Sequence, residues 1–331
     1  MYVPILKARR TELGIIKDLS HCFSDKIIPL VEIINEKSDI NKFINYIDNK
    51  KIFIDYLRIS RNKYGNKYDP TQVLLSIDIS RNETNYLNNL KQLLQYNNAI
   101  PVISIKSDFE TDKTILEDLY EFFSTNKKSV AIRITPLYLE KYKDFIEKRL
   151  QENDYLLFDI EETSIHSREM ELEDLSNMNI KACKILINSP RESRLTNGEF
   201  EENATSLLID NSVAKEYSSK GFDGFGDYCG YKDVLPRKNG SKGEGAAIAL
   251  IYDYKINQFY SFVEKNTKLG VKGYNKVIED ILKKRDIISN FDECIAMKKV
   301  EEMSSKEKKG NWSTWIGITI TRYIYQMYLN L

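Results

Sequence analysis

Eight short runs, most of them rich in Ile, Val or Leu and separated by amphipathic stretches, constrain the fold of this chain more than any other feature. In order they are 2–7 (YVPILK), 26–33 (KIIPLVEI), 51–57 (KIFIDYL), 99–106 (AIPVISIK), 129–135 (SVAIRIT), 154–160 (DYLLFDI), 182–188 (ACKILIN) and 221–228 (GFDGFGDY). Most are almost unbroken apolar runs, the pattern of strands covered on both faces in a parallel sheet. Stretches of helical spacing fill the gaps, at 11–19, 39–47, 85–94, 113–123, 139–150, 168–178 and 204–219. Eight strands alternating with helices by residue 235 match a (β/α)8 barrel, which usually takes about 250 residues. The expected fold class is therefore α/β, a TIM-like barrel. An open doubly wound sheet would more usually carry a Gly-rich phosphate turn after its first strand, whereas here Leu6 is followed by KARRTE and no glycine occurs before Gly14.

Past Asp233 the pattern changes. Residues 237–245 (RKNGSKGEG) form a Gly-rich basic loop, followed by two β-like runs, 246–252 and 258–264, that read as a hairpin. Helical stretches follow at 274–284, 292–303 and 313–329. The expected organisation is a barrel over 1–235 and a C-terminal appendage over 236–331, a hairpin and helices packed on the barrel.

Charge narrows the partners. Lys plus Arg and Asp plus Glu both number 49 in 331 residues, so no net field draws the chain to nucleic acid or an anionic membrane. The basic clusters at 283–285, 298–299 and 306–309 are interleaved with Glu301, Glu302 and Glu307, as on solvated helix faces, and nucleic acid is not an expected partner. Four scattered cysteines and two histidines give no zinc-site spacing. The N-terminus lacks the order of a signal peptide, and no run approaches the ~18 apolar residues of a spanning helix. The reading is a cytoplasmic protein with no membrane partner.

Chemistry in a barrel sits at the C-terminal ends of the strands, where the loops build its concave face. The proposed strands end in or near Lys7, Glu32, Asp55, Lys106, Arg133, Asp159, Asn188 and Asp227, every one polar. Residues two and four positions earlier are mostly apolar in the first six, which puts the polar group on a face shared with core side chains. Strand boundaries are commonly polar for no functional reason, and that remains the plain alternative. On the functional reading, Glu32, Asp55, Asp159 and Asp227 are the candidate catalytic residues: hard oxygen donors suited to Mg2+ or Mn2+, or to divided acid and base roles. Lys7, Lys106 and Arg133, with Asn188 and Tyr228, are the candidate substrate-binding residues, and the cations suit a phosphate or carboxylate. Lys7 also has the position of a Schiff-base lysine for pyridoxal phosphate, but no Gly/Ser-rich phosphate loop follows a late strand. His21 and His166 are not at strand ends, which disfavours histidine-dependent hydrolysis.

Two further strings stand out. In 222–230 (FDGFGDYCG), glycines allow a sharp turn or a close approach to a ligand, or simply a bend that closes the last strand. In the final helix Trp315, Thr319 and Arg322 share one face, which either covers the barrel mouth or packs as ordinary core.

The strings YVPILKARRTELGIIKDLS, IIPLVEI, GFGDYCGY and GNWSTWIG with TRYI, in this order over nearly the whole chain, resemble the bacterial and phage proteins called the beta protein family. The family pattern has a histidine pair in the last helix where this chain has Thr321 and Arg322, so a histidine-dependent role does not carry over. The resemblance implies a place in antiphage defence or phage–host conflict. Two functions are expected on these grounds. One is a barrel enzyme, hydrolase- or phosphodiesterase-like, acting on a phosphate-bearing or nucleotide-like ligand. The other is a non-catalytic barrel that senses or docks a phage or host protein.

Overall fold

The computed structural model describes residues 1–35, 40–237 and 245–331. Its strands, in chain order, are β1 (Tyr2–Lys7), β2 (Leu30–Ile33), β3 (Ile52–Tyr56), β4 (Ala99–Ile105), β5 (Ala131–Ile134), β6 (Tyr155–Asp159), β7 (Cys183–Ile187), β8 (Ala204–Thr205), β9 (Gly224–Asp227), β10 (Ala247–Asp253) and β11 (Gln258–Glu264). Strands β1 to β7 and then β9 close a parallel barrel, β9 pairing with both β7 and β1. The sequence expectation of a (β/α)8 barrel holds. Each barrel strand except part of β7 is buried throughout, which explains why their apolar runs are unbroken.

The helices are α1 (Arg10–Asp18), α2 (Ile40–Tyr46), α3 (Arg61–Tyr64), α4 (Leu74–Arg81), α5 (Glu83–Gln92), α6 (Lys113–Thr125), α7 (Pro136–Arg149), α8 (Glu169–Asn177), α9 (Ser212–Glu216), α10 (Tyr274–Lys283), α11 (Ile295–Ser305) and α12 (Trp312–Asn330). Local chemistry starts several of them. Asn82 and Asp112 accept hydrogen bonds from backbone N–H groups at the starts of α5 and α6, and Pro136 opens α7 where a missing N–H costs nothing. The helix expected at 39–47 begins at Ile40, residue 39 lying outside the described residues.

The chain divides by its contacts into two units. The first holds Met1–Ser189, Ser212–Asp227 and Val234–Lys238; the second holds Pro190–Asn211, Tyr228–Asp233 and Asn239–Leu331. Where the sequence reading places one cut after residue 235, the chain passes between the units five times. The helix expected at 204–219 is a correction. Residues 204–205 are the short strand β8, paired with Tyr260 and Ser261 of β11, and only 212–216 are helical. Asp210 and Asn211 interrupt the helical spacing, and the side-chain amide of Asn211 donates to the Asn257 carbonyl at 3.2 Å.

In the first unit, side chains alternate between the barrel interior and the outer layer. Phe53 and Tyr155 meet edge to face at 4.9 Å inside. Gly226 takes an inner position on β9, where a Cβ would lie 2.8 Å from the Val3 carbonyl and 3.2 Å from Ile187, so only glycine lets β9 come close enough to close the ring. The segment after β3 was not foreseen: it carries α3 and α4. Leu57, Ile59, Val73 and Leu235 form a small buried cluster there with Ile34, and the Asp69 N–H donates to the Pro236 carbonyl at 2.6 Å.

In the second unit β10 and β11 form the expected hairpin, with β8 at its edge. Its core runs through Ala249, Ile251, Phe262, Val277, Ile281, Met297 and Ile318. Trp315 stacks on Tyr274 at 5.0 Å and donates its indole N–H to the Lys309 carbonyl at 2.9 Å, so within this unit it is core. Asn311 caps α12 through a capping box with Thr314. Arg322, fully buried, donates to the carbonyls of Tyr252 (2.9 Å) and Ser289 (2.5 Å), tying the last helix to β10 and to the turn before α11. At Gly230 the backbone is left-handed (φ +75°) and a Cβ would strike the Phe259 ring at 2.4 Å, which accounts for this glycine without a ligand. The Gly-rich basic loop at 237–245 lies, but for its two ends, outside the described residues.

Candidate functional site

Six of the nine residues singled out from the sequence meet inside the barrel at the C-terminal strand ends. Lys7, Glu32 and Asp55 sit side by side on β1, β2 and β3, their Cα positions in register. Arg133 on β5 is paired in register with Ser104 on β4, and Lys106 follows two residues later on the same face. The Arg133 guanidinium is the hub. Its Nη1 donates to Glu32 Oε1 at 2.8 Å and to Asp55 Oδ2 at 2.9 Å; its Nε and Nη2 lie 2.9 and 2.6 Å from Asp159 Oδ2. Lys7 donates to the other oxygen of Glu32. Arg133, Glu32 and Asp55 have no exposed surface, and Lys7 and Asp159 have at most 2%.

Three carboxylates thus face three cations, and the buried cluster carries no net charge. That balance permits burial: an unpaired charge there would cost several kcal/mol, whereas a hydrogen-bonded network offsets most of the desolvation. Burial by itself would raise the Asp159 carboxyl. Arg133, then Lys106 and Lys63, and the Glu161 N–H at 3.0 Å together hold it below the usual carboxylate value.

Lys106 is bound differently from the other two cations. Its Nζ stands 3.9 Å from Glu32 Oε1 and 3.8 Å from Asp55 Oδ2, beyond hydrogen-bond length. Burial first, then Arg133, pushes its ammonium below the ordinary lysine value, with Asp55, Glu32 and Asp159 opposing. A tight turn holds it in place. The Phe109 N–H donates to the Lys106 carbonyl at 2.9 Å, and Asp108 takes a left-handed conformation (φ 71°) while accepting hydrogen bonds from Ser60 Oγ (2.8 Å) and the Asn62 side chain (2.6 Å).

Lys106 also borders a small cleft of about 10 Å3, room for about one water molecule, lined by Asp55, Leu57, Arg58, Ser104 and Phe109. Arg58 lies between the rings of Tyr86 and Phe109, 4.1 and 4.7 Å from their centroids, and its Nη2 donates to the Ser104 carbonyl at 2.6 Å. Its buried Nε has no hydrogen-bond partner among the described residues. Ser104 Oγ donates to Asp55 Oδ1 at 2.8 Å, and the Ser104 N–H donates to the buried hydroxyl of Tyr86 at 3.0 Å, whose pKa burial raises. Lys63, on the segment after β3, reaches Glu161 beyond β6 at 3.2 Å. That segment is therefore tied to the loops after both β4 and β6.

Arg58 and Ser104 are site residues that the strand-end rule missed. Ser104 was within reach, being two residues before Lys106 and so on its strand face. Arg58 lies one residue past the expected end of the third strand, with no sequence signal to mark it.

Asp227 is a correction. Phe225, two residues earlier, packs on Tyr2 and Tyr217 with ring centroids 4.9 and 5.2 Å apart, on the outer face of the barrel. Asp227 shares that face and accepts from the Tyr2 hydroxyl at 3.0 Å. Its inner neighbour is Gly226, and it does not join the other three carboxylates. Asn188 is likewise off the ring: Ile185 and Ile187 occupy the inner positions of β7, and the Asn188 N–H donates to the Gly226 carbonyl at 3.0 Å. Tyr228 is buried and belongs to the second unit. For Mg2+ or Mn2+ the donor set fits poorly, because oxygens of Glu32, Asp55 and Asp159 already accept from Arg133. No group of three or more His, Cys, Asp or Glu among the described residues is arranged to hold a metal ion.

The sequence profile of the family described as Beta protein matches residues 2–328. The chain belongs to the Beta protein family. The strings that carry the resemblance have structural roles here: β1 and α1, β2, the close approach at β9, and the capped final helix. No curated protein sequence matches it. Among solved structures it is similar to a D-psicose 3-epimerase with D-tagatose from Clostridium cellulolyticum H10, at 10% identity, 98% coverage of both chains and a TM-score of 0.37. At that level nothing about reaction or substrate passes from one chain to the other. No helix among the described residues is long and apolar enough to cross a membrane.

Proposed function

We propose that this chain is a barrel enzyme that takes the anionic end of a small phosphate-bearing ligand at its C-terminal mouth, and that it acts in phage–host conflict. The observation that carries the site is that Lys106 and Arg58 line one cleft: an ammonium held beyond hydrogen-bond length from its carboxylates, and a guanidinium whose buried Nε has no hydrogen-bond partner among the described residues. An anion there would supply both with charge-assisted hydrogen bonds. Asp55, oriented by Ser104 and Arg133, is the acid/base group nearest Lys106. The cleft has room for about one water molecule, so a phosphate would enter only by displacing the side chains that border it. The role in conflict rests on the family resemblance.

Calorimetric titration with inorganic phosphate and with ribose 5-phosphate tests the site. Binding should weaken at least ~10-fold, about 1.4 kcal/mol, in Lys106→Met and in Arg58→Met, each checked for folding by circular dichroism. Equal binding by both folded variants, or no binding by the wild type, overturns the reading. For the role in conflict, cells expressing the wild type should resist phage that plaque on cells expressing Lys106→Met.

The second reading, a non-catalytic barrel that senses or docks a phage or host protein, is favoured by the closure of the cluster, in which oxygens of all three carboxylates are already held by Arg133. Resistance that persists in folded Lys106→Met and Arg58→Met cells would support it.

A further inference from the structure

The polar network at the barrel mouth is closed off: Arg133, Glu32 and Asp55 have no exposed surface, and the cleft beside Lys106 has room for about one water molecule. The segment after β3 crosses this mouth. Lys63 reaches Glu161 at 3.2 Å and so joins the loops after β3 and β6, which stand three strands apart in a ring of eight, nearly opposite each other. On the way, Ser60 Oγ and the Asn62 side chain donate to Asp108 at 2.8 and 2.6 Å, and the Asn62 N–H donates to it at 3.3 Å. Asp108 sits in the turn between Lys106 and Phe109, both of which line the cleft. The two ends of the segment are fixed, the Ile59 N–H donating to Ser80 Oγ at 2.7 Å and the Asp69 N–H to the Pro236 carbonyl at 2.6 Å. Between them Tyr64 and Tyr68 rest half-buried on the cluster of Leu57 and Val73, while Arg61, Asn62, Gly65, Asn66 and Lys67 are exposed. Residues 60–63 (SRNK) bring no apolar side chain to the mouth, so polar contacts near solvent hold that edge, and contacts of this kind part locally without global unfolding.

From this geometry we infer that residues 60–68 are a lid on the Lys106 cleft, latched through Asp108 and Glu161, and that a phosphate-bearing ligand reaches Lys106 when the latch releases. The inference rests on the proposed anion site and says how its ligand enters. Latch and cleft work as one device because of the turn they share. Asp108 holds a left-handed conformation (φ 71°), which costs a residue with a Cβ free energy, and the three hydrogen bonds from Ser60 and Asn62 offset that cost. Once they part, the turn is free to relax and to widen the cleft between Lys106 and Phe109. Tyr64 and Tyr68 are the pivot, and Ile59 and Asp69 keep the ends in place. Arg58 precedes the fixed Ile59 and donates to the Ser104 carbonyl at 2.6 Å, so one cation of the anion site stays in place while the lid moves.

The test is the rate at which acetic anhydride acetylates Lys106 in the full chain, read by peptide mass mapping. Asp108→Ala removes the acceptor of the latch and should raise that rate at least ~10-fold over the wild type, while Lys7, which does not line the cleft, changes less than ~2-fold. An unchanged Lys106 rate in the folded variant overturns the lid, and so does an equal rise at Lys7 and Lys106, which marks general loosening. The wild type alone gives a second test if the variant fails to fold. Its Lys106 rate should stay constant in urea well below the unfolding midpoint, as in a local opening, and should rise from ~0.05 M to ~1 M sodium chloride as salt screens Lys63 from Glu161. A rate that climbs in step with global unfolding and ignores salt overturns the lid. If the wild type binds inorganic phosphate by calorimetry and the latch variant is acetylated no faster, the lid falls while the anion site stands; if the variant is acetylated faster and phosphate does not bind, the anion site falls while the lid stands.

Discussion

Replacing Arg133 by Met would test the hub of the barrel interior directly. The substitution removes the guanidinium that makes four contacts of 2.6–2.9 Å with Glu32, Asp55 and Asp159, and leaves three buried carboxylates facing Lys7 and Lys106 alone. The cluster passes from neutral to one net negative charge in a place with no exposed surface. Removing one partner of a buried ion pair costs about 3–5 kcal/mol, because the charge left behind is neither paired nor solvated. Against a total stability of roughly 5–15 kcal/mol, that is a large share. With a urea m-value near 2.5 kcal/mol/M, within the usual range, the midpoint followed by circular dichroism should fall by roughly 1.2–2 M. Adding Asp159→Asn removes the carboxylate that takes two of the four contacts. The double variant should therefore lose less than the sum of the single losses, with a coupling above ~1 kcal/mol. The pH dependence has a definite sign. In the wild type the Asp159 pKa is lowered by folding, so its contribution is present above the unfolded value and is lost as pH falls through the folded one. Without Arg133, burial is opposed less and the folded value rises, so the variant loses stability as pH rises through it. The deficit should be widest near neutral pH and narrow in acid. A midpoint shift under ~0.3 M at neutral pH, or losses that simply add, would refute the view of the cluster as one paired network.

Other variants separate the remaining roles. Asp227→Asn should leave phosphate binding by calorimetry unchanged and cost on the order of 1 kcal/mol by urea denaturation, because Asp227 bonds to Tyr2 on the outer face of the barrel. Gly226→Ala should destabilise by about 1–3 kcal/mol in the same assay, since its methyl group would lie 2.8 Å from the Val3 carbonyl; a neutral outcome would mean that β9 does not approach β1 this closely. Asn311→Ala should cost about 1 kcal/mol through the lost cap, read as faster hydrogen exchange in the first turn of α12.

Much of the cluster was legible in the sequence, and each miss has its own physical cause. Polar residues ending apolar strands identified Lys7, Glu32, Asp55, Lys106, Arg133 and Asp159, which do converge. The same rule assigned Asp227 to the ring. A barrel strand is buried on both faces, so apolar neighbours two and four residues away do not reveal which face is inside, and Phe225 proved to be on the outer one. Arg58 escaped because it lies past the strand, where the path of the loop decides what a side chain reaches. The helix expected at 204–219 failed because two of its residues are taken up by the edge of β11, a pairing 55 or more residues away in sequence.

The order of the eight barrel strands, the closed parallel barrel and the neutral overall charge followed from the amino-acid sequence by itself, because hydrophobic period and net charge are local or summed properties of the chain. Only the tertiary structure decided that three carboxylates share one guanidinium, that Lys106 stands apart from the close hydrogen bonds, and that Asp227 faces away. Those depend on side-chain direction and on distances of 2.6 against 3.8 Å between residues far apart in the chain, which no local pattern encodes.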